Sequence, residues 1–404
     1  MNYSIHGTYG KAAPVSKNTY NVALLSMGHL LNDFYCNFLP ILIPLLISNM
    51  GLSLSLSGIL VMAMAFTANV MQPVFGYYMD KHNSSKLLLL VVPMGAFFIC
   101  MVSFAKSFAI LLLLIALSGL AVSIFHPMAT GIVSKAAIPQ KMGMSLSLFI
   151  GGGNIGFAFA PIVLVYFLQL YSLKMLPVLI IPAILLSLLY YKADLQKIST
   201  VSSSYANKAG LNWKQLFCNK KLMRLNAAMA IRTWSHGAMT TFLPTLLILN
   251  GYDKALAGWL LTVFLVGAAV GGLVGGYIND RIGYKKIIWI SMFLAIFPAI
   301  YFLSSGKVNL ITITMLALCG FFLQAPHPSS LVWCQKFLPN NQNLASGMML
   351  GLSFGIGGIG TALTAVAAES IGLQRSMLLT VLTLIIGALI VYFVPEKPQD
   401  KDII

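Results

Sequence analysis

The stretch Gly28-His29-Leu30-Leu31-Asn32-Asp33 lies inside an apolar run that extends from about residue 22 to residue 47. That run is long enough to cross a bilayer as a helix, which takes about 20 apolar residues. On a helix, His29, Asn32 and Asp33 share one face, because they are spaced i, i+3 and i+4. A charged side chain at the centre of such a helix costs about 2.5–3.5 kcal/mol on insertion scales. The stretch therefore predicts a membrane span whose polar face lines a functional cavity, or alternatively a structural patch bonded to a neighbouring helix.

The composition is that of a membrane protein. Of the 404 residues, 58% are hydrophobic and 8% are charged, whereas a soluble globular chain carries about 25% charged residues. So few charges cannot cover a water-facing surface. The net charge of +16 does not indicate nucleic-acid binding, because the basic residues are scattered between apolar runs. The five cysteines have no metal-binding spacing, so we expect buried thiols, no metal and no cofactor.

Apolar runs of about 18 or more residues, separated by turn residues or charges, divide the chain into twelve predicted spans. We expect no cleavable signal peptide. Most of the 25 Lys and Arg residues fall on the side of the N-terminus, which indicates that both termini are cytoplasmic. The sequence therefore predicts an all-α membrane protein with a cytoplasmic tail (1–20), a six-helix half (21–192), a solvated cytoplasmic linker (193–221), a second six-helix half (222–394) and a cytoplasmic tail (395–404).

The two halves repeat the same short motifs about 200 residues apart, in the same order along the chain. A nearly constant offset across different spans predicts parallel repeats of six helices. In this alignment Asn32 matches His236, and Gly28 matches Arg232. The recurring pairs are Gly58 and Gly258, Gly76 and Gly276, Asp80 and Asp280, His126-Pro127 and His327-Pro328, Phe38-Leu39-Pro40 and Phe242-Leu243-Pro244, and Gly153-x-x-Gly156 and Gly357-x-x-Gly360.

The loops after the second and eighth spans, which we call the motif loops, share a glycine, an acid and basic residues. The later loop reads Gly276-Tyr-Ile-Asn-Asp280-Arg281-Ile-Gly283-Tyr-Lys285-Lys286, and the earlier loop lacks the inner glycine. This pattern resembles the cytoplasmic signature of the major facilitator superfamily, Gly-x-x-x-Asp-Arg-x-Gly-Arg-Lys. Glycine permits close helix contact, and the acid can pair with a basic residue or a helix N-terminus. We predict a cytoplasmic gate, with topogenic charge as the alternative, formed by Gly76, Asp80, Lys81, Gly276, Asp280, Arg281 and Gly283.

A narrower resemblance covers nearly the whole chain. Residues 28–33, 72–77, 125–127 and 152–156 are similar to the fosmidomycin-resistance branch of that superfamily. The resemblance implies an inner-membrane, proton-driven exporter of small anionic or drug-like molecules, expected as a monomer. The alternative is a carrier for a physiological anion, such as a carboxylate metabolite or carboxylate siderophore, in either direction. We expect no enzyme, since no HExxH or GxSxG motif occurs, and no ATP-driven pump, since no nucleotide-binding loop occurs.

The strongly polar residues inside spans concentrate on the first, fourth, seventh and tenth spans. The superfamily resemblance implies that these four spans line the central cavity. A buried arginine needs a partner, so we hypothesise that Asp33 pairs with Arg232 until a substrate anion takes the guanidinium and Asp33 takes a proton. The predicted substrate and proton site consists of His29, Asn32, Asp33, His126, Arg232, His236, Gln324 and His327.

The histidines of this set have two interpretations each. They could donate hydrogen bonds to phosphonate or carboxylate oxygens, or titrate near neutral pH. His126 and His327 each precede a proline, so satisfying a kinked backbone is an open alternative for these two. The glycine run 151–156 lacks the Lys-Ser/Thr ending of a phosphate loop, and it predicts close packing of the fifth span. Glu369 and Arg375 are predicted at the periplasmic surface.

Overall fold

The computed structural model describes residues 15–137, 142–201, 219–337 and 342–395, and these residues form helices joined by loops, with no β-strand among them. The predicted tails are therefore described only in part, and residues 202–218 of the predicted linker lie outside the described chain. The first helix begins at Val15, inside the stretch predicted as a tail.

Within the described residues, twelve long helical elements, α1 to α12, follow one another in the two halves. In the first half, α1 comprises Val15–Cys36 and Leu39–Met50, α2 comprises Leu54–Ala65, the π-helical turn Phe66–Val70 and Gln72–Lys81, α3 is Leu88–Met101, α4 is Phe108–Ala136, α5 is Met142–Leu170, and α6 comprises the 3-10 segment Leu173–Ile180 and Ile181–Lys192. In the second half, α7 is Lys220–Leu249, α8 is Lys254–Ile282, α9 is Tyr284–Ser305, α10 comprises Leu310–Gln324 and Pro326–Phe337, α11 is Gln342–Ile371, and α12 comprises Leu373–Leu382 and Leu384–Tyr392.

Eleven of these helices are both long and apolar enough to cross a membrane, counted over the described residues. The remaining one, α7, has 30 residues and is long enough. It carries two lysines and Arg224 in its first turns and Arg232 near its middle. Charged side chains at membrane depth are costly and mark functional helices. The charge near the middle of α7 therefore identifies it as a candidate functional helix.

Proline residues interrupt several spans because proline removes a backbone donor and clashes with the preceding turn. α1 breaks just before Pro40, and α10 breaks at Ala325 before Pro326. In α2, a π-helical turn ends just before Pro73, and such turns are common at functional sites. The break in α10 leaves carbonyl groups at the end of its first segment, and one of them binds Arg232.

Equivalent glycines make equivalent contacts in the two halves. Gly156 of α5 packs on the backbone of Leu30 in α1, and Gly360 of α11 packs on Trp234 in α7, with no room for a Cβ at either glycine. Leu30 and Trp234 match in the alignment that pairs Asn32 with His236. The contacts confirm the parallel repeat, and they confirm that the glycine run of α5 serves close helix packing.

The two halves meet through α1 with α7, α2 with α11, and α5 with α8. Gly258 in α8 lies against Pro161 and Val165 in α5, where an added Cβ would be 2.5 Å from Val165 Cγ2. In the equivalent contact, Gly58 in α2 lies against α11. Both contacts lie near the end of the molecule opposite the motif loops, which we call the junction end.

The first motif loop turns without the missing glycine because it binds the start of the linker. The Ser84 backbone N–H donates to Thr200 Oγ1 at 3.0 Å, and the Thr200 N–H donates to Asn83 Oδ1 at 3.2 Å. Lys135 Nζ donates to the carbonyls of Ser199 and Val201, both at 2.6 Å. The residues up to Val201 are therefore attached to the first half, rather than solvated as predicted.

Candidate functional site

A cluster in the first half brings together the predicted residues of α1 and α4. His29 and Asp33 lie one turn apart on α1, with Nε2 and Oδ2 separated by 3.2 Å. His126 on α4 places its Nε2 3.5 Å from the other carboxylate oxygen, Oδ1. Asn32 Nδ2 donates to the same Oδ1 at 3.0 Å. Asp33 is therefore held by two imidazoles and an amide, and we call these four residues the acidic cluster.

The acidic cluster is not completely buried. The side chains of His29, Asp33 and His126 are 10%, 19% and 24% exposed. His29 Nδ1 also contacts the carbonyl of Phe149 in α5 at 2.8 Å. A carbonyl and a carboxylate only accept hydrogen bonds, so both nitrogens of His29 face acceptors. The ring thus binds best here when both nitrogens carry hydrogen, which makes the cluster suited to hold a proton.

Gly153 of α5 makes the space for this cluster, and its substitution gives a first prediction. A methyl group added at Gly153 would lie 2.5 Å from His29 Nε2 and 2.7 Å from Asp33 Oδ2. Gly153→Ala is therefore expected to separate the pair and to destabilise the protein by about 1–3 kcal/mol. Melting temperature and transport rate of the purified variant check this.

Gly151→Ala is the matched control, because nothing lies within 4 Å of a Cβ at that position of the same helix. Replacing an unhindered helical glycine by alanine should be neutral or stabilising by about 0.5–1 kcal/mol. Equal behaviour of the two variants would contradict a packing role for Gly153 in the cluster.

A second cluster in the other half surrounds Arg232 of α7, which is completely buried. Its Nε donates to the carbonyl of Leu323 at 2.5 Å, its Nη2 to Gln324 Oε1, and its Nη1 to Thr233 Oγ1 at 3.4 Å. Leu323 and Gln324 end the first segment of α10, just before the break at Ala325. Carbonyls at a helix C-terminus are unsatisfied and carry partial negative charge, so the break gives the guanidinium neutral acceptors.

Two histidines complete this second set, which we call the cationic cluster. His236 lies one turn from Arg232 on α7, with Nδ1 3.4 Å from Thr240 Oγ1 and its ring 5.4 Å from that of Phe264. His327 on α10 packs edge-on against Phe354 at 5.6 Å. His327 lies three positions beyond Gln324, the partner of Arg232, at the start of the second segment of α10. Arg232, His236, Gln324 and His327 thus form one electropositive region flanked by aromatic rings.

The hypothesised pair between Asp33 and Arg232 is not formed. Within the described chain, the salt bridges of Asp33 are with His29 and His126, and none involves Arg232. The physical reason is that the end of the broken helix α10 already supplies acceptors to the guanidinium. The eight predicted site residues therefore divide into one cluster in each half.

The gate residues are described only in part. A Cβ at Gly76 would lie 3.5 Å from Pro127, and one at Gly276 would lie 3.5 Å from Pro328, so each motif glycine packs on the proline that follows a site histidine. Gly283 has φ +89°, a backbone conformation that favours glycine. Arg281 donates to the Tyr277 hydroxyl at 3.0 Å. The side chains of Asp80, Lys81 and Asp280 lie outside the described part of the chain.

Several residues that shape the site were not predicted. Besides Phe149 and Gly153, Tyr190 of α6 places its hydroxyl where a side chain at Gly28 would lie. This hydroxyl is buried and has no hydrogen-bond partner among the described residues. In the repeat, Gly28 occupies the position that corresponds to the large residue Arg232. This difference in size was the available signal that a neighbouring side chain fills the space beside Gly28.

The acidic cluster also has the composition of a cation site. Ligand atoms of His29, Asp33 and His126 all lie within 4.8 Å of one another, and imidazole with carboxylate suits several divalent metals. The expectation that the protein holds no metal stays a prediction.

Comparison with known proteins agrees with this architecture. Residues 25–255 and 239–404 match the model of the Major Facilitator Superfamily. The chain belongs to the major facilitator superfamily. It is 25% identical to the fosmidomycin resistance protein of Escherichia coli (strain K12), with 97% of each chain covered. It is 27% identical to an uncharacterised MFS-type transporter, YfnC, of Bacillus subtilis (strain 168), covering 97% of this chain and 98% of the relative.

A solved structure shares the superfamily fold. The bacterial homologue of the human lysosomal transporter Spinster, in an inward-facing and occupied conformation, superimposes with a TM-score of 0.78 at 16% identity. The match covers 97% of this chain and 99% of that chain. The predicted family, the all-helical fold and the two repeated halves are confirmed, and the protein is a multi-pass membrane transporter for small molecules.

Proposed function

We propose that this transporter exports a small anionic or drug-like molecule across the inner membrane in exchange for protons, by alternating access. The observation that carries the proposal is Arg232, a fully buried guanidinium with no salt bridge in the described chain. Neutral acceptors only partly offset such a buried charge. An anionic cargo would complete it, with hydrogen bonds from Gln324, His236 and His327. The similarity to the fosmidomycin resistance protein supports a phosphonate as one such cargo.

The acidic cluster is the proposed proton site. A proton added to Asp33 removes the charge that holds His29 and His126 on two different helices, α1 and α4. The contacts of Gly76 with Pro127 link this cluster to the motif loop of the same half. Proton binding would thus change the packing of helices that contact the proposed gate. The proposed gate residues are Gly76, Asp80, Lys81, Gly276, Asp280, Arg281 and Gly283. Cargo and proton then influence each other through movement of the two halves, not through a direct pair.

Binding to the purified protein tests the cargo class. Fosmidomycin and a panel of small carboxylates are titrated by calorimetry, and fosmidomycin is expected to bind more tightly. The cationic cluster can also donate hydrogen bonds to a carboxylate metabolite or siderophore, so tighter binding of a carboxylate would favour the second candidate function, a carrier for a physiological anion. Binding of neither class would overturn both proposals.

Alternating access requires the junction end to open, and Glu369 gives a prediction about this step. Glu369 Oε1 of α11 accepts from the Ser55 N–H at the start of α2, at 3.0 Å, and so joins the two halves. A carboxylate at a helix N-terminus is favourable. Glu369→Gln removes the charge and is expected to increase the population that is open at the junction end.

Spin labels at Asn49→Cys and Asn250→Cys, one in each half, report this opening by pulsed electron resonance in a variant lacking the five native cysteines. A longer-distance population should grow in Glu369→Gln. Asp194→Asn is the control, because Asp194 binds Lys197 within one half, at 2.8 Å. Unchanged distances in Glu369→Gln would show that this contact does not restrain the junction.

A further inference from the structure

A cleft lies between the two halves at the junction end, away from both clusters. Ile41 and Leu45 of α1 and Leu168 of α5 line it from the first half, and Pro244 and Ile248 of α7 line it from the second. A ligand bound in the cleft would therefore contact both halves at once.

The polar groups of the cleft are confined to its rim. Its walls are apolar except for Gln169 near the end of α5 and Lys254 at the start of α8, and both side chains are exposed. Lys254 takes part in no salt bridge within the described chain. The neighbouring Asp253 is engaged as the N-cap of α8, accepting from the Leu256 N–H at 2.9 Å. The rim thus offers one ammonium, near the positive end of a helix dipole, above an apolar slot.

We propose that this cleft binds a single-chain amphiphilic anion of the fatty-acid type. The carboxylate would lie against Lys254, with Gln169 as a second donor, and the alkyl chain would lie between α1, α5 and α7. Burial of an alkyl chain between apolar walls is favourable, and a charged hydrogen bond at the rim fixes which end faces water. One cation and one apolar slot match one charged head and one chain.

A ligand bound in this cleft is expected to affect transport, because of where the cleft lies. It adjoins the close contact of Gly258 with Val165, which must separate when the junction end opens. A ligand that contacts both halves here binds the present conformation better than an open one, so it stabilises this conformation by mass action. The bound fatty acid is therefore expected to slow the exchange of access.

Native mass spectrometry of the full chain, purified in detergent, tests the proposal with laurate and with dodecanol as the uncharged analogue. Laurate should bind at one site, and dodecanol should bind more weakly. Lys254→Gln should raise the apparent Kd for laurate by about tenfold or more, since a hydrogen bond to a charged group is lost. Ile248→Trp should block the slot while leaving Lys254 in place. Lys307→Gln, an exposed lysine of another loop, is the control and should bind laurate as the unmodified protein does.

Three outcomes would overturn the proposal. These are no laurate binding, equal binding by Lys254→Gln and the unmodified protein, and Lys254-dependent binding of phosphatidylglycerol without binding of laurate. The measurement involves neither proton nor cargo, so its failure leaves the proposed transport function standing. Failure of the transport assay would likewise leave the cleft proposal standing.

Discussion

Asp33→Asn is expected to abolish transport driven by an imposed pH gradient, with the rate falling to that of protein-free liposomes. Asparagine keeps the size of the side chain and an oxygen that can accept from Asn32. It cannot take up a proton or form ion pairs with His29 and His126, which lie 3.2 and 3.5 Å from Asp33. Uptake of radiolabelled fosmidomycin into proteoliposomes, with the pH gradient imposed in either direction, measures the effect.

Cargo binding should survive this substitution, because Asp33 and Arg232 belong to different clusters. The calorimetric Kd for fosmidomycin is therefore expected to stay within about threefold of the unmodified value, a shift below 1 kcal/mol. Asp253→Asn is the matched control, since asparagine is as good an N-cap as aspartate and Asp253 lies at the junction end. Transport by Asp33→Asn that still follows the pH gradient would disprove the proton site.

Arg232→Lys is expected to lower the rate of anion transport by about 10- to 100-fold, because hydrogen bonds to charged groups contribute about 1.5–3 kcal/mol each. Lysine keeps the charge but loses the planar fork. Its single nitrogen cannot take the separate positions of Nε and Nη2, from which arginine binds the Leu323 carbonyl and Gln324 Oε1. The loss should appear in the affinity for the anion as well as in the rate.

A folding defect must be separated from this loss, since Arg232 is completely buried. Arg224→Lys is the control on the same helix, at an exposed position, and should leave both rate and melting temperature unchanged. Gln324→Ala removes one partner of Arg232 while keeping the guanidinium, and should weaken anion affinity less than Arg232→Lys does. An unchanged rate in a stable Arg232→Lys protein would remove Arg232 from the cargo site.

Much of the site could be predicted because its signals are local in sequence. His29 and Asp33 are spaced i, i+4, and they do meet one turn apart on α1. Arg232 and His236 have the same spacing and lie in the same cluster. The repeat placed Leu30 and Trp234 in equivalent surroundings, and the equivalent glycines Gly156 and Gly360 pack on them.

The partner of each charge could not be predicted, because it depends on which helices meet and how they bend. The hypothesis that Asp33 pairs with Arg232 assumed that a buried arginine needs a carboxylate. The break of α10 at Ala325 instead provides free carbonyls, including that of Leu323. His126 was identified as a site residue, but only the packing of α4 against α1 shows that it binds Asp33.

The amino-acid sequence alone was enough to predict a helical membrane transporter with two repeated halves and a polar set on four helices. Hydropathy, residue spacing and internal repeats are patterns along the chain, so they can be recognised without tertiary information. Contacts between helices were needed to show that the stretch from Gly28 to Asp33 forms an acidic cluster with His126, that Arg232 binds the end of a broken helix, and that a cleft with Lys254 at its rim lies between the halves. Those features arise where separate helices meet, and the geometry of such contacts is set by the packing of the whole molecule.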